Sequence, residues 1–211
     1  MNIIAQDKSM DVIISQNFIF WKLKILFDLI VSVLLLPFLI FLIFLIFILN
    51  FFYNRGPIFF IQKRMGANCK PFYAIKFRSM ISIDVVKRKF TDPLEVERIT
   101  SLGRILRKTR IDELPQILNV LKGDMSLIGP RPDYYEHALY FLKNDPNYRK
   151  RHVIKPGISG LSQIRLGYAE GLNDTIKKSK IDIYYIENAG FYLEAKIFFG
   201  TIRAIIKGLG V

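Results

Sequence analysis

At 211 residues the chain holds one domain with an appendage and excludes two full domains. Hydrophobic residues make up 51%, more than a small soluble domain needs, and 31 Lys and Arg against 18 Asp and Glu leave a charge of +13. Contact with lipid and an acidic partner (nucleic acid, anionic lipid or a phosphorylated substrate) follow from that balance, while a single cysteine excludes an intramolecular disulfide.

Residues 1–20 have mixed polarity and no firm period, and read as a loosely held start or a short interfacial helix. Lys22 and Lys24 follow, and then 21 residues from 29 to 49 carry no charge. A straight helix of that length covers ~31 Å, about the hydrocarbon thickness of a bilayer. Pro37 divides the run into arms 29–36 and 38–49, each too short to cross. Lys22 and Lys24 flank one end and Arg55, Lys63 and Arg64 the other, so the positive-inside rule gives no crossing direction. A helix bent at Pro37 that enters and leaves by the cytoplasmic face satisfies both flanks, provided Ser32 or neighbouring backbone satisfies the freed carbonyl. A kinked spanning helix satisfies the length equally well, and the residues alone leave both open.

Arg55-Gly56-Pro57 ends this element. Segments 58–62 and 72–77 look like strands joined through Gly66-Ala67-Asn68, and Lys76, Arg78 and Ser79 fall where the second ends. Two cations and a hydroxyl there suit phosphate oxygens or a solvated strand end. Residues 80–98 are charged, hold Pro93 and read as a mobile loop over the site. A short basic helix is expected over 101–108, capped by Thr100 or Ser101, with Arg104, Arg107, Lys108 and Arg110 facing lipid phosphate or solvent.

Residues 110–132 read RIDELPQILNVLKGDMSLIGPRP. Asp112 and Glu113 are expected where a helix begins, Pro115 in its first turn, an apolar side from Ile117, Leu118, Val120 and Leu121, and Gly123 as its stop. Paired acids at the positive end of a helix stay ionised. Arg131 is presented between Pro130 and Pro132. Two carboxylates and a guanidinium suit magnesium and phosphate chemistry, although an acid pair before a helix also serves as a plain cap. Beyond this, 133–143 is a plausible helix, Pro156, Gly157 and Gly160 mark a turn-rich loop before a short strand at 161–164, and 175–187 is a helix carrying Asp182. In the last helix, 193–209, Leu193, Ile197, Phe198, Thr201, Ile202, Ile205 and Leu209 share one broad side opposite Lys196, Arg203 and Lys207. That division suits core packing or a helix lying at headgroup level. Cys69, His137 and His152 match no zinc-ligand spacing, and neither a phosphate loop, a dinucleotide fingerprint nor an Asp-x-Asp pair is present.

The 110–132 segment, with Lys76-Phe77-Arg78-Ser79-Met80, the 155–163 stretch KPGISGLSQ and Asp182-Ile183-Tyr184-Tyr185, resembles the bacterial sugar transferase family, the monotopic phosphoglycosyl transferases, in order and rough spacing. The likeness runs from about Leu23 to the C-terminus. It implies an α/β fold of the α+β kind, mostly helical with a small β-hairpin or sheet, a re-entrant membrane hairpin and interfacial amphipathic helices. The chain then divides into an N-terminal segment and re-entrant helix broken at Pro37 (1–54) and a cytoplasmic catalytic domain (55–211). The family's break is commonly a Ser-Pro pair, where this chain has Leu36-Pro37.

The implied reaction moves sugar-1-phosphate from a UDP-sugar to undecaprenyl phosphate (a polyprenol phosphate) with release of UMP. Asp112 would attack the sugar-bearing phosphorus, and Glu113 would hold Mg²⁺ with it or position the second nucleophile. Lys76, Arg78 and Arg131, with Pro132 beside it, would steady phosphate, as would Asp182 by carry-over of its motif. The expected location is the cytoplasmic leaflet of the bacterial inner membrane, with a homodimer allowed and no nucleic acid as partner. The rival reading is a non-enzymatic basic adaptor on anionic lipid, indifferent to changes at Asp112 and Glu113.

Overall fold

A computed structural model describes residues 17–81, 95–166 and 171–208. The expected loose start falls mainly, and the expected mobile loop largely, outside these residues, as does Leu209. The chain is mostly helical with two small sheets, in agreement with the expected α+β class.

The apolar run lies within one helix, α1, Phe18–Tyr53, which spans 36 residues and carries Pro37 inside it. Helical backbone therefore continues across the proline, and the run is not divided into two separate helices. A proline removes one hydrogen bond and crowds the preceding turn, which bends a helix without having to end it. Among the described residues, Ser32 Oγ has no hydrogen-bond partner, so it does not satisfy the freed carbonyl.

One stripe of α1 is buried: Phe20, Lys24, Asp28, Ser32, Leu39, Leu42, Ile46 and Asn50. Steps of three, four and seven residues place these on one face. Away from the stripe, Phe27, Leu34, Phe41, Phe44, Phe47 and Phe52 are exposed. The stripe changes character along its length. Its N-terminal part is polar, its middle packs Leu39, Leu42 and Ile46 against Phe77, Leu102, Leu106 and Ile117, and Asn50 closes the far end.

Strands β1 (Phe59–Met65) and β2 (Pro71–Phe77) form an antiparallel hairpin, as the turn chemistry between them predicts. Helix α2, Ser101–Lys108, follows with Thr100 as its cap, the Gly103 amide donating to the Thr100 hydroxyl at 3.0 Å. A 3₁₀ turn, Ile111–Gln116, leads into the short helix α3, Ile117–Lys122, and Gly123 ends it at φ 89°. The acid pair thus sits in a 3₁₀ turn ahead of the α-helix and not in its first turn.

The next strand, β3 (Ser126–Ile128), pairs in parallel with β4 (Gly157–Ser159). Helix α4, Tyr135–Asn144, and a 3₁₀ segment, Pro146–His152, lie between them in sequence. The strand expected at 161–164 is instead helix α5, Leu161–Leu166, and the extended segment lies just before it. Close approach explains the shift: a Cβ on Gly157 would stand 2.0 Å from the Gly129 nitrogen, so these two glycines let backbone lie on backbone. Helix α6, Gly171–Glu187, and helix α7, Phe191–Ile206, complete the fold. The broad apolar side expected for α7 is split, because Leu193 and Ile197 enter a core with Ile128, Leu161, Tyr185 and Ile186 while Phe198, Ile202 and Ile205 are exposed.

Candidate active site

The hairpin, the 3₁₀ turn and the segment after β3 bring Lys76, Asp112, Glu113 and Arg131 together. Arg110 makes the turn possible by adopting φ 57°, a left-handed conformation that a non-glycine residue enters with some strain. Its carbonyl accepts the Glu113 amide at 3.1 Å. Asn119 then ties α3 to β2 on both sides, accepting from the Ile75 amide at 3.0 Å and donating to the Tyr73 carbonyl at 2.8 Å. In the sequence this tie is signalled by Asn119 standing among Ile117, Leu118, Val120 and Leu121.

Glu113 is fixed from two sides. Arg131 Nη1 donates to its Oε2 at 2.8 Å, Arg131 Nη2 reaches Oε1, and Lys76 Nζ meets Oε1 at 2.5 Å. Burial opposes charge on Glu113, but the Arg131 guanidinium and Lys76 ammonium outweigh it and hold its carboxyl well below the usual range. Burial likewise lowers Lys76, with Glu113 pulling the other way.

Asp112 differs. It is 8% exposed, and among the described residues no hydrogen-bond donor or ion-pair partner sits on its carboxylate. Burial pushes its pKa up to about 6, Lys76 countering and Glu113 adding to the rise. Two adjacent carboxylates with opposite shifts are suited to separate duties, one as a fixed anion and the other as an available oxygen that exchanges a proton around pH 6.

Beside them lies a small cleft, partly open to solvent, lined by Arg64, Ala74, Lys76, Gln116, Arg131 and Pro132. Arg64 was read from the sequence only as a charge flanking the membrane run. The structure places it on the cleft wall, with Nη1 donating to the Pro132 carbonyl at 3.0 Å.

Two of the expected phosphate binders are not brought to the carboxylates. Arg78 is buried at the end of α1, where Nε donates to the Pro57 carbonyl at 2.6 Å and Nη2 to the Asn50 side chain at 3.3 Å and the Asn54 carbonyl. Asp182 is 1% exposed, and its Oδ2 accepts from Arg151 Nε at 2.9 Å and Nη2 at 2.7 Å. Both motif residues therefore hold the fold in this structure, one at the helix exit and one in the interior.

No group of three His, Cys, Asp or Glu side chains able to hold a metal occurs among the described residues. The open carboxylate of Asp112 still fits Mg²⁺, an ion commonly held by one or two carboxylates together with substrate phosphates. Glu113 fits less readily, because both its oxygens already accept from Arg131 and Lys76.

Comparison with known proteins gives a consistent result. Residues 19–208 match the family model described as bacterial sugar transferase. A UDP-N-acetylgalactosamine-undecaprenyl-phosphate N-acetylgalactosaminephosphotransferase of Aeromonas hydrophila is 40% identical over 87% of this chain and 43% of its own length. The uncharacterized sugar transferase EpsL of Bacillus subtilis is 41% identical over 74% of this chain and 73% of its own. A UDP-glucose:undecaprenyl-phosphate glucose-1-phosphate transferase of Klebsiella pneumoniae is 38% identical over 71% of this chain and 32% of its own. The chain thus spans less than half of two of these relatives and about three quarters of the third.

Proposed function

The chain belongs to the bacterial sugar transferase family, and from that premise we propose that it moves sugar-1-phosphate from a UDP-sugar to undecaprenyl phosphate. The observation that carries this reading is the split pair: Asp112 without a donor at a pKa of about 6, beside Glu113 locked by Arg131 and Lys76. At neutral pH Asp112 is mostly ionised and has an unshared oxygen, which suits a nucleophile.

In the first step an Asp112 oxygen bonds to the sugar-bearing phosphorus. The bond from that phosphorus to the bridging oxygen breaks, and UMP leaves with the electron pair. In the second, a phosphate oxygen of undecaprenyl phosphate attacks the same phosphorus and releases the Asp112 carboxylate. Arg131 and Lys76 face the cleft that the diphosphate would enter, and Arg64 adds a third cation to its wall. Their partner Glu113 keeps both cations in place before substrate arrives, so little reorganisation accompanies the reaction. Asp112 is the residue best placed to hold Mg²⁺, which when bound would neutralise charge on the diphosphate and the departing UMP.

The setting of α1 supports a monotopic placement on the cytoplasmic leaflet of the inner membrane. Thirty-six helical residues span ~54 Å if straight, well beyond a hydrocarbon core of ~30 Å. Lys24 near the start pairs with Glu194 at 2.7 Å, Ser126 donates to Asp28 at 2.5 Å, and Asn50 and Asn54 near the end grip Arg78. One domain thus holds both ends of the helix. A spanning helix would carry those ends to opposite faces, and the domain would have to follow; a helix bent within one leaflet keeps both on one side. The exposed aromatic residues along it then meet lipid.

The test is purified protein in detergent with magnesium, undecaprenyl phosphate and a panel of UDP-sugars, read as UMP release. With donor alone, intact mass should rise by one sugar phosphate, mapped to the peptide holding Asp112. No adduct in a preparation that turns over would remove the covalent step, and no UMP from any donor would remove the transfer itself.

A further inference from the structure

We propose that Arg151 is a positioning residue for the transfer: its buried guanidinium sets the backbone from which Arg131 reaches Glu113. This rests on the reading of the Asp112–Glu113 cleft as the transfer site.

Pro130 and Pro132 have no N–H, so the segment that presents Arg131 has few donors of its own and is held through its carbonyls. Four successive carbonyls are each taken. Pro130 accepts from the Gly157 amide at 2.9 Å and Asp133 from the Met65 amide at 3.1 Å. Between these backbone ties, Arg131 accepts from Arg151 Nη2 at 2.8 Å and Pro132 from Arg64 Nη1 at 3.0 Å. Arg64 lines the cleft and can meet substrate directly. Arg151 is 1% exposed and can act only through what it holds.

The rest of the Arg151 guanidinium is equally committed. Nε and Nη2 both donate to Asp182 Oδ2, which fixes the guanidinium plane, while Nη1 reaches Asp133 Oδ2 and the Tyr148 hydroxyl, the latter at 3.0 Å. Asp133 is tied in turn by Tyr148 at 2.6 Å and Lys178 at 2.5 Å. One planar cation therefore joins Asp182 of α6 to residues 131 and 133. A lysine has the charge but not the fork, and cannot make these bonds together. In this arrangement the Asp182 motif serves the reaction at one remove, by orienting Arg151.

Full-length protein is compared as wild type, Arg151→Lys, Asp182→Asn, Arg131→Lys and the Arg131→Lys/Arg151→Lys double. Arg151→Lys keeps a cation between Asp133 and Asp182, and Asp182→Asn serves if the lysine variant loses its near-ultraviolet circular dichroism. Arg151→Lys should lower kcat ~30-fold with KM for the UDP-sugar within about threefold, as displaced catalytic groups do. The double should fall no more than about threefold below Arg131→Lys alone, because both changes act through one guanidinium. Losses that multiply in the double, or wild-type kcat in Arg151→Lys, overturn the proposal. A second readout needs no turnover: labelling by phenylglyoxal, located by peptide mass, should reach Arg131 on the order of fivefold faster in Arg151→Lys while Arg78 is unchanged, as local loosening requires. An unchanged Arg131 rate overturns it also. A wild type inactive on every donor defeats the transfer reading alone, since the labelling still decides whether Arg151 holds Arg131.

Discussion

Two ion clusters in this molecule use the same parts, two carboxylates, one arginine and one lysine, to different ends. In the interior, Asp133 and Asp182 are both bound to Arg151, and Lys178 closes on Asp133. At the cleft, Arg131 and Lys76 both close on Glu113. Asp112 is left without a donor among the described residues and has its pKa raised to about 6 by burial, with the nearby cations opposing. The interior cluster binds both of its carboxylates to the arginine, although Asp182 Oδ1 itself has no partner among the described residues, whereas the cleft leaves a whole carboxylate without a donor. On the proposed reading, reactivity resides where a carboxylate has no cation bound to it, and the folded state bears the expense of keeping it so.

The sharpest way to break the comparison is Asp112→Asn. UMP release should fall by ~10⁴-fold or more, as for other removed nucleophiles. The same variant should melt higher at pH 7. Because burial raises Asp112 from 3.8 to about 6, its neutral form is favoured in the fold, and stability falls as pH rises across that interval. An asparagine escapes that loss, a gain of at most about 3 kcal/mol at 1.36 kcal/mol per pH unit, read by thermal melting at pH 5 and pH 7. A variant no more stable at pH 7 would mean that Asp112 is not strained by its site.

The interior cluster should answer in the opposite sense. Arg151→Met leaves Asp133 and Asp182 buried without their arginine and should cost about 3–5 kcal/mol, seen as a lowered melting temperature or failure to fold. Glu113→Gln comes next. It should fold with a lowered melting temperature, since it gives up the stabilisation of a carboxylate held between Arg131 and Lys76, and lower kcat by ~10²-fold through loss of the anchor that orients both cations. Acid should act on the two regions separately. The rate should fall through a limb near pH 6 as Asp112 takes up its proton. The fold should persist to lower pH, because Glu113 and Asp133 are both held well below the usual range and release their stabilisation only as pH drops through those depressed values. The smallest effect is expected of Lys177→Ala, whose pairing with Asp174 at 3.1 Å is exposed and should contribute less than about 0.5 kcal/mol.

The legibility of these features in the sequence follows from their range. The long apolar helix, the hairpin, the Thr100 cap and the Gly123 stop depend on local chemistry and are found where expected. Asp112, Glu113, Lys76 and Arg131 are picked out by motif order alone, and the structure brings the four together. Arg64 reads in sequence as a membrane-flanking charge and Arg151 belongs to none of the motifs, since only tertiary folding brings them to residues 132 and 131. Arg78 and Asp182 show the converse: a motif marks residues that hold the scaffold as readily as residues that face the cleft. The strand misplaced to 161–164 failed for a related reason, as the extended segment is decided by how closely Gly157 meets Gly129 and not by apolar alternation.

The seat of α1 has a consequence for how the protein is made. Lys24 finds Glu194 across 170 positions, and Asp28 finds Ser126 across 98. When the helix first emerges from the ribosome, Lys24 and Asp28 have only each other, 3.5 Å apart across one turn, and Glu194 is made 170 residues after Lys24. Lipid can receive the aromatic flank early, but the polar flank docks only once Glu194 is made, so a chain interrupted before that residue leaves a charged helix undocked and open to quality-control proteases.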